Sequence, residues 1–473
     1  MFKQKTHAEH TRIILFILVT AVCMLTFASV QPFGDGPDEI NRFKLVEYIY
    51  NHGTLPVGSD PEVLIDGYGG SYAFQPMLTY MIDGYLLRCF RVFEPSLEAR
   101  VFISRLISIF AGILTALYTK KLGDLLFTNK KTAWAFTLAI TFLPQHLFIH
   151  TYVNTDSMGL FSIVLVLYAL IRGLKDDFSK TTCITLATGV ILCALSYYNC
   201  YGIIVCAVLF FLAYFWKKCR TPANAPAYDI HALLQKGFFI SAIVLICIAW
   251  WFIRNAILYD GDFLALEARN ICAAQTGLES YNPYTRDTYQ RLGIPLVEMI
   301  FGTDYFTLVW KSFIAMFGPM LIPTHHYIYM AFKDLFFMTV IGLLIPLRTS
   351  ALTGLKVSQK WLVNLTMIPA IIIPVILALY YSYTFDFQPQ GRYYLPMVVP
   401  FMYFLTIGFE KLTALIVMAI CKLGVITKII KQEHVAAVEN LTSATLYHLL
   451  YAFLTLCLLY ATFVSMLGYY KMG

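Results

Sequence analysis

The stretch QPFGDGPDEINRF, residues 31–43, sets three carboxylates, Asp35, Asp38 and Glu39, directly after the first long apolar run of the chain. A carboxylate held at a membrane surface can take the proton from an attacking hydroxyl. Three further segments carry groups suited to the same chemistry. HTYVNTDS, residues 150–157, supplies Asn154 and Asp156; WWFIRN, 250–255, supplies Arg254; QGRYYLP, 390–396, supplies Gln390, Arg392 and Tyr393. Arginine grips phosphate oxygens in a bidentate fork, so Arg254 and Arg392 are the candidate phosphate ligands. A carboxylate can act as a base and an arginine as an anion ligand, so these residues are candidates for a site that uses both.

Each residue also has a plainer reading. Asp35 or Gly36 suits the N-cap of a helix, Pro37 its first position, and Asp38 and Glu39 its first turn, with His52-Gly53 ending it. Asp38 and Arg42 stand i,i+4 and can pair. At a helix start near the membrane surface Asp38 is the first choice of base and Glu39 the runner-up or a supporting partner; the helix N-terminus lowers a carboxylate's pKa and makes it a weak base. Asp156 would orient an acceptor or hold a cation; the alternative is that it caps the helix beginning at Ser157. Arg254 and Arg392 could equally snorkel to the interface. Gly391 would allow a close backbone approach, and Tyr393 and Tyr394 suit an interfacial aromatic belt. His325 and His326 are adjacent and point in different directions on a helix, so no metal site is expected, nor a nucleotide or other cofactor site.

These residues sit in a chain of 473 residues that is 59% hydrophobic and 13% charged. A soluble domain carries about 25% charge. The composition and the repeated apolar runs predict an all-α polytopic membrane protein with about eleven transmembrane helices. The expected spans are 12–30, 99–118, 132–150, 157–173, 181–197, 201–216, 237–257, 325–347, 361–381, 393–411 and 444–469. The run 75–93 reads as a surface helix, because counting it as a span would turn the lysines of 119–131 outward. The first run reads as a retained span rather than a cleaved signal peptide. With this count the basic segments (the N-terminus, 119–131, 172–180, 217–236, 348–360 and 411–434) all lie inside. The N-terminus is then cytoplasmic, and every candidate residue falls on the extracytoplasmic side of the cell membrane.

Three parts follow: an N-terminal transmembrane module, 1–257, with a first outer loop, 31–98; a large outer loop, 258–324; and C-terminal helices, 325–473. Loops of that size in a compact protein are usually functional. The net charge of +7 is spread over short loops and sets topology; nucleic acid is not an expected partner. Most of the eleven cysteines, among them Cys23, Cys193, Cys206, Cys247 and Cys457, fall in apolar runs as core or lipid-facing residues, and no disulfide framework is indicated. The sequons at Asn364 and Asn440 are read as chance.

The order of these motifs resembles the GT-C superfamily of membrane glycosyltransferases. Within it the chain is similar to the protein O-mannosyltransferase and aminoarabinose transferase families and to related bacterial membrane families. Pro37-Asp38-Glu39 matches the acidic motif that opens a surface helix after the first span. AFQPMLTYMIDGYLLRCF matches the second surface helix, Asp156 the second acidic residue, and Gln390–Pro396 a late outer motif. WWFIRN with LYDGD resembles the end of the span before the large outer loop, and Lys311-SFIAMFG the return from it. The aminoarabinose transferases carry a phosphate-contacting lysine before the proline of the second surface helix, where this chain has Gln75. The mannosyltransferases also carry a large lumenal domain, for which there is no room here.

The resemblance implies an inverting, metal-independent glycosyltransferase. It would take a sugar from a polyprenyl-phosphate carrier to a glycan, lipid or protein acceptor of the cell envelope. Alternatives are a transporter or flippase of lipid-linked sugars, or a non-catalytic partner in envelope assembly. A transporter would more naturally place charges mid-span and break its helices with Gly and Pro.

Overall fold

The computed structural model describes residues 2–218, 230–426 and 429–472. Parts of two loops expected inside, 217–236 and 411–434, therefore lie outside the described residues. The N-terminal half comprises α1 (Phe2–Val30), α2 (Glu39–His52), α3 (Leu78–Cys89), α4 (Leu97–Leu126), α5 (Lys130–Thr141), α6 (Pro144–Phe148), α7 (Asp156–Asp176), α8 (Lys180–Ala194), α9 (Gly202–Lys218) and α10 (Ile230–Leu258). Then follow α11 (Leu266–Thr276), α12 (Leu296–Phe301), α13 (Tyr305–Ile314) and a short antiparallel pair, β1 (Met316–Phe317) and β2 (Ile322–Pro323). The chain closes with α14 (His326–Leu343), α15 (Val357–Thr384), α16 (Val398–Ile426), α17 (Val435–Leu459), a π-helical stretch over Tyr460–Met466 and α18 (Leu467–Met472).

The protein is an all-α, multi-pass membrane protein. Eight helical stretches among the described residues are long and apolar enough to cross a bilayer. The remaining three expected runs are helical but shorter or more polar. Pro144 stops the run 132–150 and restarts it as α6, since proline has no N–H to give and fits only a first turn. The run 181–197 becomes α8, with 15 residues against the roughly 20 that a span needs. The run 325–347 becomes α14, 18 residues that include Lys333 and Asp334. Its N-cap is His325, whose ring accepts the Tyr327 N–H. The run 75–93 yields only the 12-residue α3, too short to span.

At the centre stands α7, apolar on every face and buried along nearly its whole length. It packs against α4 and α8, and its first residue is Asp156. By contrast few residues of α10 are buried, among them Trp251 and Asn255, and the helix packs mainly on α8, as suits a helix with one face toward lipid. The free cysteines follow the expected division: Cys23, Cys193, Cys206 and Cys457 are buried, and Cys247 is exposed on α10.

Two long connections fold onto each other over one end of the bundle. Leu278 N–H donates to the Gly67 carbonyl at 2.8 Å, and Gly70 N–H to the Thr276 hydroxyl at 3.3 Å. A Cβ at Gly69 would overlap the Gly277 backbone, so the two segments meet backbone to backbone. The segment Tyr72–Met77 continues from this contact into α3, which is pinned by Leu78 N–H to the Leu195 carbonyl at 3.0 Å.

Candidate active site

The three carboxylates of the opening stretch go to three different places. Asp35 accepts the Tyr470 hydroxyl of α18 at 2.8 Å, which ties the C-terminal end of the chain to the loop after α1. Glu39 is fully buried. Its Oε1 and Oε2 accept Arg105 Nε and Nη2 at 2.8 and 2.6 Å, and they also accept Val153 N–H at 3.1 Å and Gly34 N–H at 3.2 Å. Arg105 spends its remaining donors on the carbonyls of Ala28, Gln31 and Pro32, at 2.8, 2.7 and 3.1 Å. It thereby caps the end of α1 and anchors the start of α2. Asp38 alone of the three lines a cavity of about 530 Å³.

The backbone explains why Asp38 turns that way. Glu39 N–H bonds the Gly36 carbonyl at 3.0 Å, closing a tight turn with Pro37 second and Asp38 third. Asp38 takes φ 62°, ψ 11°, the left-handed conformation. A type II turn demands it, and an aspartate adopts it at some cost. The helix therefore starts at Glu39, later than the sequence suggests. Asp38 is its N-cap residue, but its side chain makes no capping bond. The carboxylate is free to turn to Arg392, whose Nη2 stands 2.8 Å from Oδ2. Arg42 Nη2 approaches the same oxygen at 3.8 Å, a weaker form of the expected i,i+4 pair.

Burial pushes the Asp38 carboxyl up, but the charges of Arg392 and Arg42 and hydrogen bonds from Arg392 and Tyr72 outweigh it. The net direction is down. Its direction matches the expectation; its cause is the two guanidinium groups rather than the helix N-terminus. With the Asp38 side chain 34% exposed, the carboxylate is ionised, held and still reachable.

Asp156 is buried and pairs with Arg42, Nη1 to Oδ2, at 2.8 Å. It does not cap α7. That task falls to Asn154, whose Oδ1 accepts Ser157 N–H at 2.8 Å and Ser157 Oγ at 2.9 Å. The Asn154 amide donates to the carbonyls of Ile149 and Tyr152 at 2.7 and 2.8 Å. Asn154 thus shapes the turn that presents Asp156 to Arg42. Asp38, Arg42, Asp156 and Arg392 form one chain of alternating charge.

Gly391 explains the position of Arg392. Its N–H donates to Ser312 Oγ at 2.6 Å, and a Cβ there would overlap the Phe313 backbone nitrogen. The 3₁₀ turn Gly391–Met397 lies against α13 and points Arg392 inward. Tyr393 and Tyr394 point inward with it instead of forming an interfacial belt. Tyr393 accepts Arg392 Nη2 at 2.9 Å, donates to Gln388 Oε1 at 2.6 Å and lines the cavity. Tyr394 is buried against the Tyr305 hydroxyl at 2.9 Å. Gln390 does not line the cavity; its amide reaches only Gln388, at 3.5 Å. Arg254 is not brought to this site either. Its Nη2 donates to the Pro56 carbonyl at 2.7 Å, and its guanidinium lies over the Trp251 ring at 5.5 Å.

The cavity also has residues that were not candidates for the site in the sequence. Gln75 lines it, as do Tyr68, Tyr72 and Tyr381, and so do Arg269 and Arg286 of the 258–324 segment. Arg105 was legible as an arginine inside an apolar run, which always demands a partner. Arg269 and Arg286 carried no comparable signal, since arginine is ordinary in a polar loop.

A family model described as "Predicted membrane protein (DUF2142)" matches residues 68–401. The chain belongs to the DUF2142 family. No curated protein matches its sequence. Among solved structures this DUF2142 chain resembles ArnT from Cupriavidus metallidurans bound to undecaprenyl phosphate, at 12% identity and a TM-score of 0.56, over 98% of this chain and 78% of that one. It also resembles the Archaeoglobus fulgidus oligosaccharyltransferase tethered to an acceptor peptide, at 14% identity and a TM-score of 0.52, over 95% of this chain. The chain spans about 55% of the length of that oligosaccharyltransferase. Both are GT-C glycosyltransferases, and the DUF2142 chain has their fold.

Proposed function

We propose that this protein is a GT-C glycosyltransferase that moves a sugar from a polyprenyl-phosphate carrier to an acceptor hydroxyl on the extracytoplasmic face. One observation carries the reading. Asp38 is an ionised, reachable carboxylate on the wall of a 530 Å³ cavity, in a fold shared with a transferase that binds undecaprenyl phosphate. The acceptor oxygen attacks the anomeric carbon, its proton passes to Asp38, and the bond from that carbon to the phosphate oxygen breaks. The phosphate leaves on its lipid. Attack opposite the leaving group inverts the anomeric centre.

Asp38 is a base of depressed pKa and so a modest one, which puts weight on positioning and on the positive field around the leaving group. Arg392 positions the carboxylate and lends it that field. Arg42, clamped between Asp38 and Asp156, lines the same cavity and fixes the geometry beside the carboxylate. Glu39 acts through Arg105, setting where α2 begins. The acceptor is a glycan, lipid or protein of the envelope.

The test is transfer from a labelled polyprenyl-phosphate sugar by purified protein. Asp38→Asn keeps size and turn propensity but cannot take a proton. It is expected to slow transfer by about 10²–10⁴-fold and to lower thermal stability moderately, because the buried Arg392 loses its carboxylate partner while the Asp38 side chain itself is 34% exposed. Normal transfer by this variant would end the assignment of the base.

A further inference from the structure

We infer that Arg269 and Arg286 form a phosphate-binding station on the wall of the cavity built by the 258–324 segment. The inference rests on the transferase reading above and adds a ligand site to it.

The argument is one of charge. Around Asp38, two guanidinium groups meet two carboxylates: Arg392 and Arg42 against Asp38 and Asp156. That end of the site is balanced before any substrate arrives. Arg269 and Arg286 line the same cavity, and neither forms an ion pair among the described residues. Asp38, already paired, is the only carboxylate on the lining among the described residues. The cavity therefore keeps about two positive charges without counter-ions, on its outer-loop side.

Arg286 is built in rather than dangling. It is 8% exposed, and its Nε is buried without a hydrogen-bond partner. Its guanidinium lies over the Phe385 ring at 5.8 Å, and Nη1 makes only a long 3.4 Å contact to the Tyr68 hydroxyl. A buried guanidinium with an unused donor is costly unless something anionic completes it. Arg269 projects from α11, whose backbone is held against Gly70. The loop-on-loop contact described above holds α11 against the 67–70 segment, and Tyr68 of that segment is the residue Arg286 reaches, so both arginines stand on the cavity lining beside it.

Two positive charges match a phosphate monoester, which carries about −1.5 to −2 at neutral pH. A neutral sugar offers them nothing. The phosphate of a polyprenyl carrier becomes such a monoester when the sugar leaves, so the station would favour the departed state over the bound diester. A phosphate on the acceptor presents the same chemistry.

The experiment measures ligand-induced thermal stabilisation of the full-length protein in detergent. The probes are a short-chain polyprenyl phosphate, the matching uncharged polyprenol and glycerol phosphate. The variants are R269Q/R286Q, R269K/R286K and D38N. The expected result is stabilisation by polyprenyl phosphate, absent with polyprenol, lost at least tenfold in apparent affinity in R269Q/R286Q, substantially restored in the lysine variant, and kept in D38N. Stabilisation by glycerol phosphate alone, with the same variant dependence, would identify the source as the acceptor. Equal binding of either phosphate by wild type and a folded R269Q/R286Q would overturn the station and leave the transferase reading standing. No binding of either phosphate by wild type would overturn both. The ligand-free melting temperature of each variant separates lost binding from lost folding.

Discussion

Asp38 shows how one residue's chemistry is set by its neighbours. Its folded pKa lies below the ordinary carboxylate value because Arg392 and Arg42 outweigh the effect of burial. For a depressed acid the stabilising ion pair is fully present above the unfolded pKa and is lost as pH falls through the folded one. The same group as base must be ionised to work. The expected kcat/KM profile is therefore flat from neutrality down to about pH 4, the ordinary aspartate value, with its acid limb below that. Arg392→Gln removes the nearer cation and leaves burial less opposed, so the acid limb moves upward. A wild-type acid limb above pH 5, or a limb that stays put in R392Q, would separate Asp38 from the rate. The adjacent Glu39 illustrates the converse. It is the same kind of group one residue along, yet its oxygens are used up on Arg105 and two backbone N–H groups.

At the scale of elements, the site depends on how helices start and stop. Pro37 and the left-handed Asp38 make the turn into α2; Arg105 on α4 holds both the end of α1 and the start of α2; Asn154 sets the turn into α7. Glu39→Gln leaves the Arg105 guanidinium buried without its counter-charge. Loss of one partner from a buried pair costs about 3–5 kcal/mol. E39Q should lower the unfolding temperature clearly and lose transfer along with it, whereas D38N, whose ion pair is partly exposed, should lower it less for a full loss of transfer. Equal stability of E39Q and wild type in thermal unfolding would show that the pair does not anchor α2. The turn at Gly391 is the other hinge of the site, because only a residue without a side chain can lie on the α13 backbone there.

At the scale of the whole molecule the prediction concerns sidedness. We propose from the charge asymmetry of the loops that Asp38 lies outside the cytoplasm, and that proposal has a direct test. Cys89, at the end of α3, is exposed and sits on the segment that includes α2 and the site. A membrane-impermeant maleimide should label Cys89 in intact cells, with C89S as the control. Labelling that requires permeabilised cells would invert the topology and put the cavity on the cytoplasmic side. The exposed face of α15 beside the cavity lining at Leu377 suits a cavity reached from within the bilayer plane.

Composition and periodicity alone established the membrane class, the helical fold and the run of apolar segments, because burial in lipid acts on each segment independently. Local motif chemistry also singled out Asp38, Asp156, Arg392, Arg42 and Gly391, whose types are unusual at the ends of apolar runs. What it could not decide was partnership. Three neighbouring carboxylates looked alike, and only packing sent one to Tyr470, one to Arg105 and one to the cavity. Arg254 and Arg392 looked alike too, until Pro56 took the first and Asp38 the second. Arg269 and Arg286 had no local mark, since their meaning comes from a wall made by two loops some 200 residues apart. Ion pairs and cavities are long-range contacts, and a charge acquires its role from the group that tertiary structure sets beside it.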